Sequence, residues 1–479
     1  MTEEILINVT AKEVRIALLE NHILQEIYIE RILKQGLLGN IYKGKVTRLL
    51  PGIQAAFVDI GLPRAAFLHI SDIDVHSHQN IRDLLHPGLE LLVQVYKDPL
   101  GSKGARLTTK FTLPSRYLVM TPYHSQLTVS QKITDDVERG RLQAMLSPIE
   151  NEGYIFRTAA WGVQQADIDI DQKFLHHLWS NILKKSQTTQ LGSMIYAEIP
   201  IVLRVLRDFA SDDVSRIRVD NLEVVQQMQE FAATYMPAIE NRIEFYADKR
   251  PIFDIHFVED EIEKALARKV HLKSGGHLVF DQTEAMTTID VNTGSYVGHG
   301  IIEETIFKTN LEAAEVIARQ VRLRNLGGII IIDFIDMTDV FHKEHLLQIF
   351  RKALSKDKAR VEISELSSLS LIQMTRKRTR ESLEHVLCIA CPLCQKKGSI
   401  KSKETICYDI FREIKRIAEN YPWAGFLVLA EESIITTLLE EEVSMLKALE
   451  MQLNRPIKLQ SENSYTQEQF DVLPLAEKE

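Results

Sequence analysis

Cysteine is scarce, with four residues in 479, so no disulfide framework holds a chain of this length. No apolar run is long enough to span a bilayer, and Met1-Thr2-Glu3-Glu4 has neither the basic nor the apolar region of a signal peptide. These absences predict a soluble, cytoplasmic protein. An excess of positive charge is also missing. The net charge is −9, so any contact with nucleic acid must rest on local patches. What is present is apolar mass: 45% of the residues are hydrophobic, enough for several cores, and length alone suggests about three domains.

The most informative stretch runs from Leu278 to Asp336, where two apolar segments end in acid. Ala-Met-Thr-Thr-Ile-Asp-Val-Asn-Thr-Gly closes on Asp290 and Asn292, and Gly-Gly-Ile-Ile-Ile-Ile-Asp-Phe-Ile-Asp-Met delivers Asp333 and Asp336. The β-branched run Gly328–Ile332 predicts a strand buried on both faces. Between the two segments, Ile302–Leu326 carries apolar residues at helical spacing and stops at Gly327-Gly328. Strand, helix, strand predicts a βαβ unit. Asp290 and Asp333 then leave at one carboxyl edge, where open α/β sheets bind ligands. Paired carboxylates are hard ligands suited to Mg²⁺, which polarises a phosphoryl oxygen and orients water. Asn292, two residues on along an extended strand, points the same way as Asp290. A lone Asp at a strand end usually caps a turn; two on paired strand ends weigh as much for chemistry as for capping.

In chain order, Ile5–Val9, Val14–Leu19 and Ile23–Ile29 alternate as a β-meander too small to stand alone, so a later segment must cover it. From Gly39, short strands punctuated by Gly and Pro predict a small barrel. Tyr42 stands among Lys43, Lys45 and Arg48, and Phe57 and Phe67 fall on neighbouring strands. Aromatic rings with nearby cations suit unstacked bases of single-stranded RNA, although either Phe alone is as readily a core residue. Residues 100–110 read as a mobile glycine-rich loop with Lys103, Arg106 and Lys110. Arg157 and Thr158 end a further strand, and an Arg fork beside a hydroxyl makes a phosphate clamp. Within 203–265 a strand (Val214–Val219), a helix (Leu222–Tyr235) and a helical pattern from Glu259 supply the cover the meander lacks.

Arg376, Lys377, Arg378 and Arg380 would form, on a helix, either a solvated basic face or a seat for a phosphate backbone. All four cysteines, Cys388, Cys391, Cys394 and Cys407, then fall within 20 residues. Such clustering around a turn suits tetrahedral Zn²⁺, supplied by one chain or shared between two. The remainder, from Thr405, reads as a small α/β domain with an acidic end.

Gly-x-Val-x-x-Leu-x-x-Gly-x-x-x-x-Phe-Val-Asp-x-Gly, followed by Ala-Phe-Leu-His, resembles the S1-type RNA-binding OB barrel over residues 36–115. The wider order of meander, barrel, Arg157-Thr158, Ile289-Asp-Val-Asn, Ile332-Asp-Phe-Ile-Asp-Met and Cys391-Pro-Leu-Cys394 resembles the bacterial ribonuclease E/G family over nearly the whole chain. The resemblance implies a multidomain α/β and α+β protein. Its expected parts are a ribonuclease H-like subdomain from 1–35 and 203–265, the barrel, and a 5′-sensor region over 116–202. A DNase I-like catalytic subdomain over 266–386, a zinc link over 387–400 and a small α/β domain over 401–479 complete it. It further implies a Mg²⁺-dependent endoribonuclease cutting single-stranded, AU-rich RNA in rRNA maturation and mRNA decay, with a preference for 5′-monophosphates. In that pattern Asp290 and Asp333 hold the metal, Asn292 assists, and Arg157 with Thr158 receives the 5′ phosphate. Phe57, Phe67 and Lys103 contact RNA, and Arg360 falls near the active site. Cys391 and Cys394 hold a Zn²⁺ shared across a homodimer. Lys396 stands at the first Gly of the family's Cys-Pro-x-Cys-x-Gly-x-Gly.

Two other classes compete. A non-catalytic RNA-binding or ribosome-assembly factor would keep the barrel without needing both acids, and a metal-dependent phosphoesterase acting on DNA would need the acids without the barrel.

Overall fold

A computed structural model describes residues 3–31, 36–74, 80–99, 104–146, 152–210, 213–294, 302–367, 369–378, 380–394, 397–420 and 424–475. The chain divides into two compact units, Met1–Val386 and Leu387–Glu479.

In the first unit the meander Glu3–Val9, Glu13–Glu20, Ile23–Arg31 supplies three strands of a five-stranded sheet. Glu3–Val9 pairs in parallel with Val214–Val219, which in turn pairs with Ile243–Phe245. The helices Ile201–Phe209 and Leu222–Tyr235 bury Val205, Leu206, Val225 and Met228 against Ile5, Ile7 and Ile16. A β-meander with one apolar face gains stability only when such a layer removes that face from water.

The second layer is a closed five-stranded barrel. Ile41–Leu50, Ala55–Asp59, Ala66–His69, Arg106–Thr108 and Glu90–Lys97 follow one another around it, and Ile41–Leu50 pairs back to Glu90–Lys97. Met194–Tyr196 adds to its rim. Tyr42 lies in the barrel core, 5% exposed, and not among the surface cations; its neighbours on the strand alternate outward, as the period of two requires. Arg106 sits in a strand, bonded by Nε and Nη2 to Asp72, so the cationic-loop reading does not hold for it.

A third layer packs a four-stranded sheet (Leu113–Pro114, Leu118–Pro122, Leu127–Val129, Glu152–Phe156) against the long helix Gln165–Thr188.

The fourth layer holds the acids. Six strands lie in the order Lys269–His271, His277–Gln282, Met286–Asn292, Gly328–Asp333, Leu371–Lys377, Arg360–Ile363. The helix Ile302–Leu323 links the two central strands, which run parallel. That helix ends before Leu326: Asn325 turns left-handed at φ 48°, the stop expected of an asparagine. Ile330 and Ile332 are buried with Ile289, Val291, Ile317 and Phe350, whereas Ile329 on the opposite face is 47% exposed. The run of isoleucines is therefore buried on one face only, because the helices Ile302–Leu323 and Val340–Leu354 cover a single side of a mixed sheet.

Arg376 and Lys377 of the cationic segment lie not on a helix but on the strand Leu371–Lys377, which turns Arg376 inward. Arg376, 6% exposed, meets Asp357 at 2.7 Å and donates to Asn325 and to the Leu326 carbonyl. Arg380 lies 3.6 Å over the Tyr28 ring.

The second unit packs a three-stranded sheet (Gly425–Ala430, Ile457–Ser461, Phe470–Leu475) against the helices Lys403–Asn420, Glu432–Glu440 and Val443–Leu453. No helix among the described residues is long and apolar enough to cross a membrane.

Candidate active site

Asp290 and Asp333 are register partners on the two parallel strands. Adjacent strands lie about 4.8 Å apart and register partners point to the same face, so both carboxylates stand side by side on the uncovered face at the carboxyl ends. Asn292 donates from Nδ2 to Asp290 Oδ2 at 2.7 Å. Register extends this row in both directions: Lys269, Val279, Asp290, Asp333 and Leu371 align across five strands, and His271, His277 and Asn292 align in the row above.

Burial pushes the Asp333 carboxyl above its usual range, and the negative charges of Asp290 and Asp336 push it the same way. Crowded carboxylates of this kind are relieved by a cation. His277 is held below its usual range by burial and by Lys269 and His271, against the pull of Asp290.

Three local devices hold this edge in shape. Gly276 approaches so closely that a Cβ there would lie 2.6 Å from the Asn292 carbonyl oxygen, which fixes the His271–His277 hairpin against the acid strand. Asn310, fully buried, both donates to the Ile335 carbonyl and accepts from its N–H, and so pins the segment that carries Asp336. Glu303 accepts from the N–H groups of Thr338 and Asp339 at 2.9 and 3.2 Å.

Arg360 is not part of this cluster. It pairs with Lys377 at the other end of the sheet, six residues along the strand from the Leu371 that partners Asp333, a separation of roughly 20 Å at the rise of an extended strand. There it is 78% exposed by its side chain and paired with Glu362.

Arg157 and Thr158 follow the strand Glu152–Phe156, whose parallel partner Leu127–Val129 delivers Ser130 beside them. Thr158 Oγ1 and Ser130 Oγ share a hydrogen bond of 3.2 Å. Arg157 donates from Nη1 to the Ser115 carbonyl at 2.6 Å and from Nη2 to Asp208 Oδ1 at 2.7 Å. Its fork is thus engaged within the protein, not open as a bare clamp. Lys358, two residues before Arg360, donates to the Asp208 carbonyl, and burial pushes its ammonium down to about 8. Lys132 donates to the carbonyls of Asp357 and Lys358. The edge around Thr158 therefore gathers two hydroxyls and three cations.

On the barrel, Phe57 and Phe67 are register partners with ring centroids 6.2 Å apart at 72°, and His69 stacks on Phe67 at 6.5 Å. All three remain half-buried. Lys103 and Lys396 lie outside the described residues.

Of the cysteines, Cys407 is fully buried in the core of the second unit, where burial raises its thiol to about 11. It serves as a small apolar residue, not a ligand. Cys391 is held below the usual thiol range by N–H groups of Cys394 and Leu393 and by the Cys394 side chain. A thiol so placed favours the thiolate that metals bind.

His271, His277, Lys269, Ser130 and Lys358 were not singled out from sequence. The hairpin His-Leu-Lys-Ser-Gly-Gly-His carried a signal, since a Gly-Gly turn sets its two histidines opposite each other; Ser130 and Lys358 carried none.

Comparison with known proteins gives three results. Residues 112–379 match the ribonuclease E/G family and residues 38–109 match the S1 RNA binding domain. Ribonuclease G of Escherichia coli (strain K12) is 49% identical over 487 residues, covering 99% of this chain and 100% of that protein, and Ribonuclease G of Haemophilus influenzae is 47% identical over 98% and 99%. Ribonuclease E of Escherichia coli (strain K12) is 36% identical over 94% of this chain but 44% of its own length.

Proposed function

The chain belongs to the ribonuclease E/G family, and on that premise we propose that it is a Mg²⁺-dependent endoribonuclease that cuts single-stranded, AU-rich RNA in rRNA maturation and mRNA decay. The observation that carries the reading is the register of Asp290 with Asp333 on one open face, with Asn292 bonded to the first. The residues fit a hard divalent cation, because Asp333 is crowded by two further carboxylates. When bound, Mg²⁺ supplies Lewis acidity toward a phosphoryl oxygen. Asn292 orients Asp290, and the uncovered face admits an RNA backbone.

The barrel binds the same strand through Phe57 and Phe67, with Lys103 assigned by resemblance. The 5′ preference belongs to Thr158, Ser130 and Arg157. A terminal phosphate there competes with Asp208 for the guanidinium, and charge-assisted bonds favour the doubly charged ligand.

Zn²⁺ binding belongs to Cys391 and Cys394. Two thiolates provide half of a tetrahedral site; a second copy of the chain completes it, as the family resemblance implies, and the protein is a homodimer. The compartment is the cytoplasm, where RNA and reduced thiols meet.

The test uses labelled single-stranded RNA bearing a 5′-monophosphate or a 5′-hydroxyl, with Mg²⁺ or with chelator, and maps the ends. Cleavage only with Mg²⁺, faster on the monophosphate, supports the reading. Binding without cleavage would leave an RNA-binding factor, and equal cutting of DNA would leave a general phosphoesterase.

A further inference from the structure

We propose that Glu4, His22 and His256 form a binding site for a divalent transition-metal ion of the zinc class, separate from the acidic edge and from the cysteine pair. The three residues come from the first strand, from the turn between the second and third strands, and from the segment Ile252–Phe257. One donor atom from each lies within 4.8 Å of the other two.

The parts of the site divide their work. Glu4 is 6% exposed, and its Oε1 accepts from Arg218 Nε at 2.6 Å. That bond fixes the carboxylate plane and leaves Oε2 to face the imidazoles. His256 Nε2 lies 3.1 Å from Oε2 and His22 Nδ1 lies 3.9 Å from it. The two rings stack with centroids 4.2 Å apart and an angle of 24°. Metal–ligand bonds of about 2.0–2.2 Å in a tetrahedral field place donor atoms roughly 3.2–3.6 Å apart, a range that the 3.1 Å from His256 and the 3.9 Å from His22 to the Glu4 oxygen bracket. Two imidazoles and a carboxylate are a donor set that zinc-class ions take, with one position left for water. The side chain of His22 is 64% exposed, so that position opens to solvent. Arg218 is the outer partner that orients the ligating carboxylate, as such sites require.

A hydrogen bond between His256 and Glu4 would need neither His22 nor the stacking. The backbone also departs from the easiest conformations to bring both rings in. Asn21 and His22 have φ of 49° and 65°, the turn in which glycine is favoured at the second position, yet histidine stands there. His256 and Phe257 are both left-handed as well, at 56° and 53°, a conformation disfavoured for bulky residues. An ion here would pin the hairpin turn to the segment leading into the helix Val258–Leu266. Glu261 of that helix holds Arg319 at 2.8 Å, on the helix between the two acid strands.

The test is equilibrium dialysis of the full chain against buffered, low-micromolar Zn²⁺, followed by metal analysis. Asparagine is the substitution of choice at both histidines because it tolerates the left-handed backbone. Wild type is expected to bind one more Zn²⁺ per chain than either His22→Asn or His256→Asn, with circular dichroism unchanged in both. Co²⁺ at the same site is expected to give visible bands without thiolate charge transfer, which separates it from Cys391 and Cys394. Zn²⁺ is expected to raise the unfolding temperature of wild type by more than that of His22→Asn, in which only the cysteine pair remains to bind it. Equal stoichiometry in all three proteins overturns the proposal, as does loss of binding in His256→Asn alone, and so do Co²⁺ bands of purely thiolate character.

Discussion

Arg157 holds Asp208 at 2.7 Å with one arm of its guanidinium and the Ser115 carbonyl at 2.6 Å with the other. A terminal phosphate must therefore win this guanidinium from a carboxylate that Arg207 also holds. Thr158→Val is the cleaner probe, since it removes one exposed hydroxyl and leaves that network intact. It is expected to raise KM for 5′-monophosphorylated RNA by roughly ten-fold, the worth of one bond to a charged group, about 1.4 kcal/mol. Cleavage of 5′-hydroxyl RNA should be unchanged. Arg157→Ala should show at least that loss and also a lower unfolding temperature. Equal KM changes on both RNAs would remove the 5′-sensing role.

Asp290→Asn and Asp333→Asn are expected to lower the cleavage rate by on the order of a thousand-fold or more while RNA binding persists. Asp333 adds a second readout. Its native carboxyl is raised above the unfolded value, so ionisation is penalised in the fold. That penalty is absent below the unfolded pKa and fully present above the native one. Metal-free Asp333→Asn should then unfold at a higher temperature than wild type at pH 7, with the difference vanishing at acid pH. A stabilised and inactive variant is the signature; a destabilised one would assign Asp333 to the fold.

Phe57 and Phe67 can be separated from core residues by the same logic. Base stacking on an aromatic is worth about 1–3 kcal/mol, so Phe67→Leu should weaken binding of single-stranded RNA about ten-fold while keeping apolar volume in the barrel. If titration of a short RNA shows unchanged affinity and calorimetry shows large destabilisation, the ring serves packing alone.

The thiols make a fourth prediction. With zinc chelated, iodoacetamide should modify Cys391 and Cys388 in the native protein, since both are exposed and Cys391 is shifted toward the thiolate. Cys407, buried with a thiol raised to about 11, should react only after unfolding. Cys394→Ser should release zinc and yield monomers together. One zinc per chain in a stable monomer would point to a site within a single chain.

Asp290, Asp333 and Asn292 were legible because their signals are local: β-branched runs, an intervening helical period and glycine stops dictate a parallel pair, and a parallel pair dictates the edge. Arg376 was not legible. Its partner Asp357 lies 19 residues upstream, and adjacent cations say nothing about which of them a strand turns inward. Arg360 misled for a related reason. Its place depends on the direction of an outer strand across the sheet, and no local pattern encodes that. Tyr42 looked like part of a cationic surface because its neighbours are charged, yet alternation on a strand sends it into the barrel.

The pairing of Glu3 with Val214 bears on how the molecule is made. The first strand leaves the ribosome well before its parallel partner, about 10–40 s at typical elongation rates of roughly 5–20 residues per second. Through that interval Ile5, Leu6 and Ile7 have only the neighbouring hairpin to lean on, while the barrel and the layer after it can close on their own local contacts. The amino-terminal strand is thus born early and completed late. Until Val214–Val219 arrives, the open edge of that strand is a place where a newly synthesised chain can misassemble.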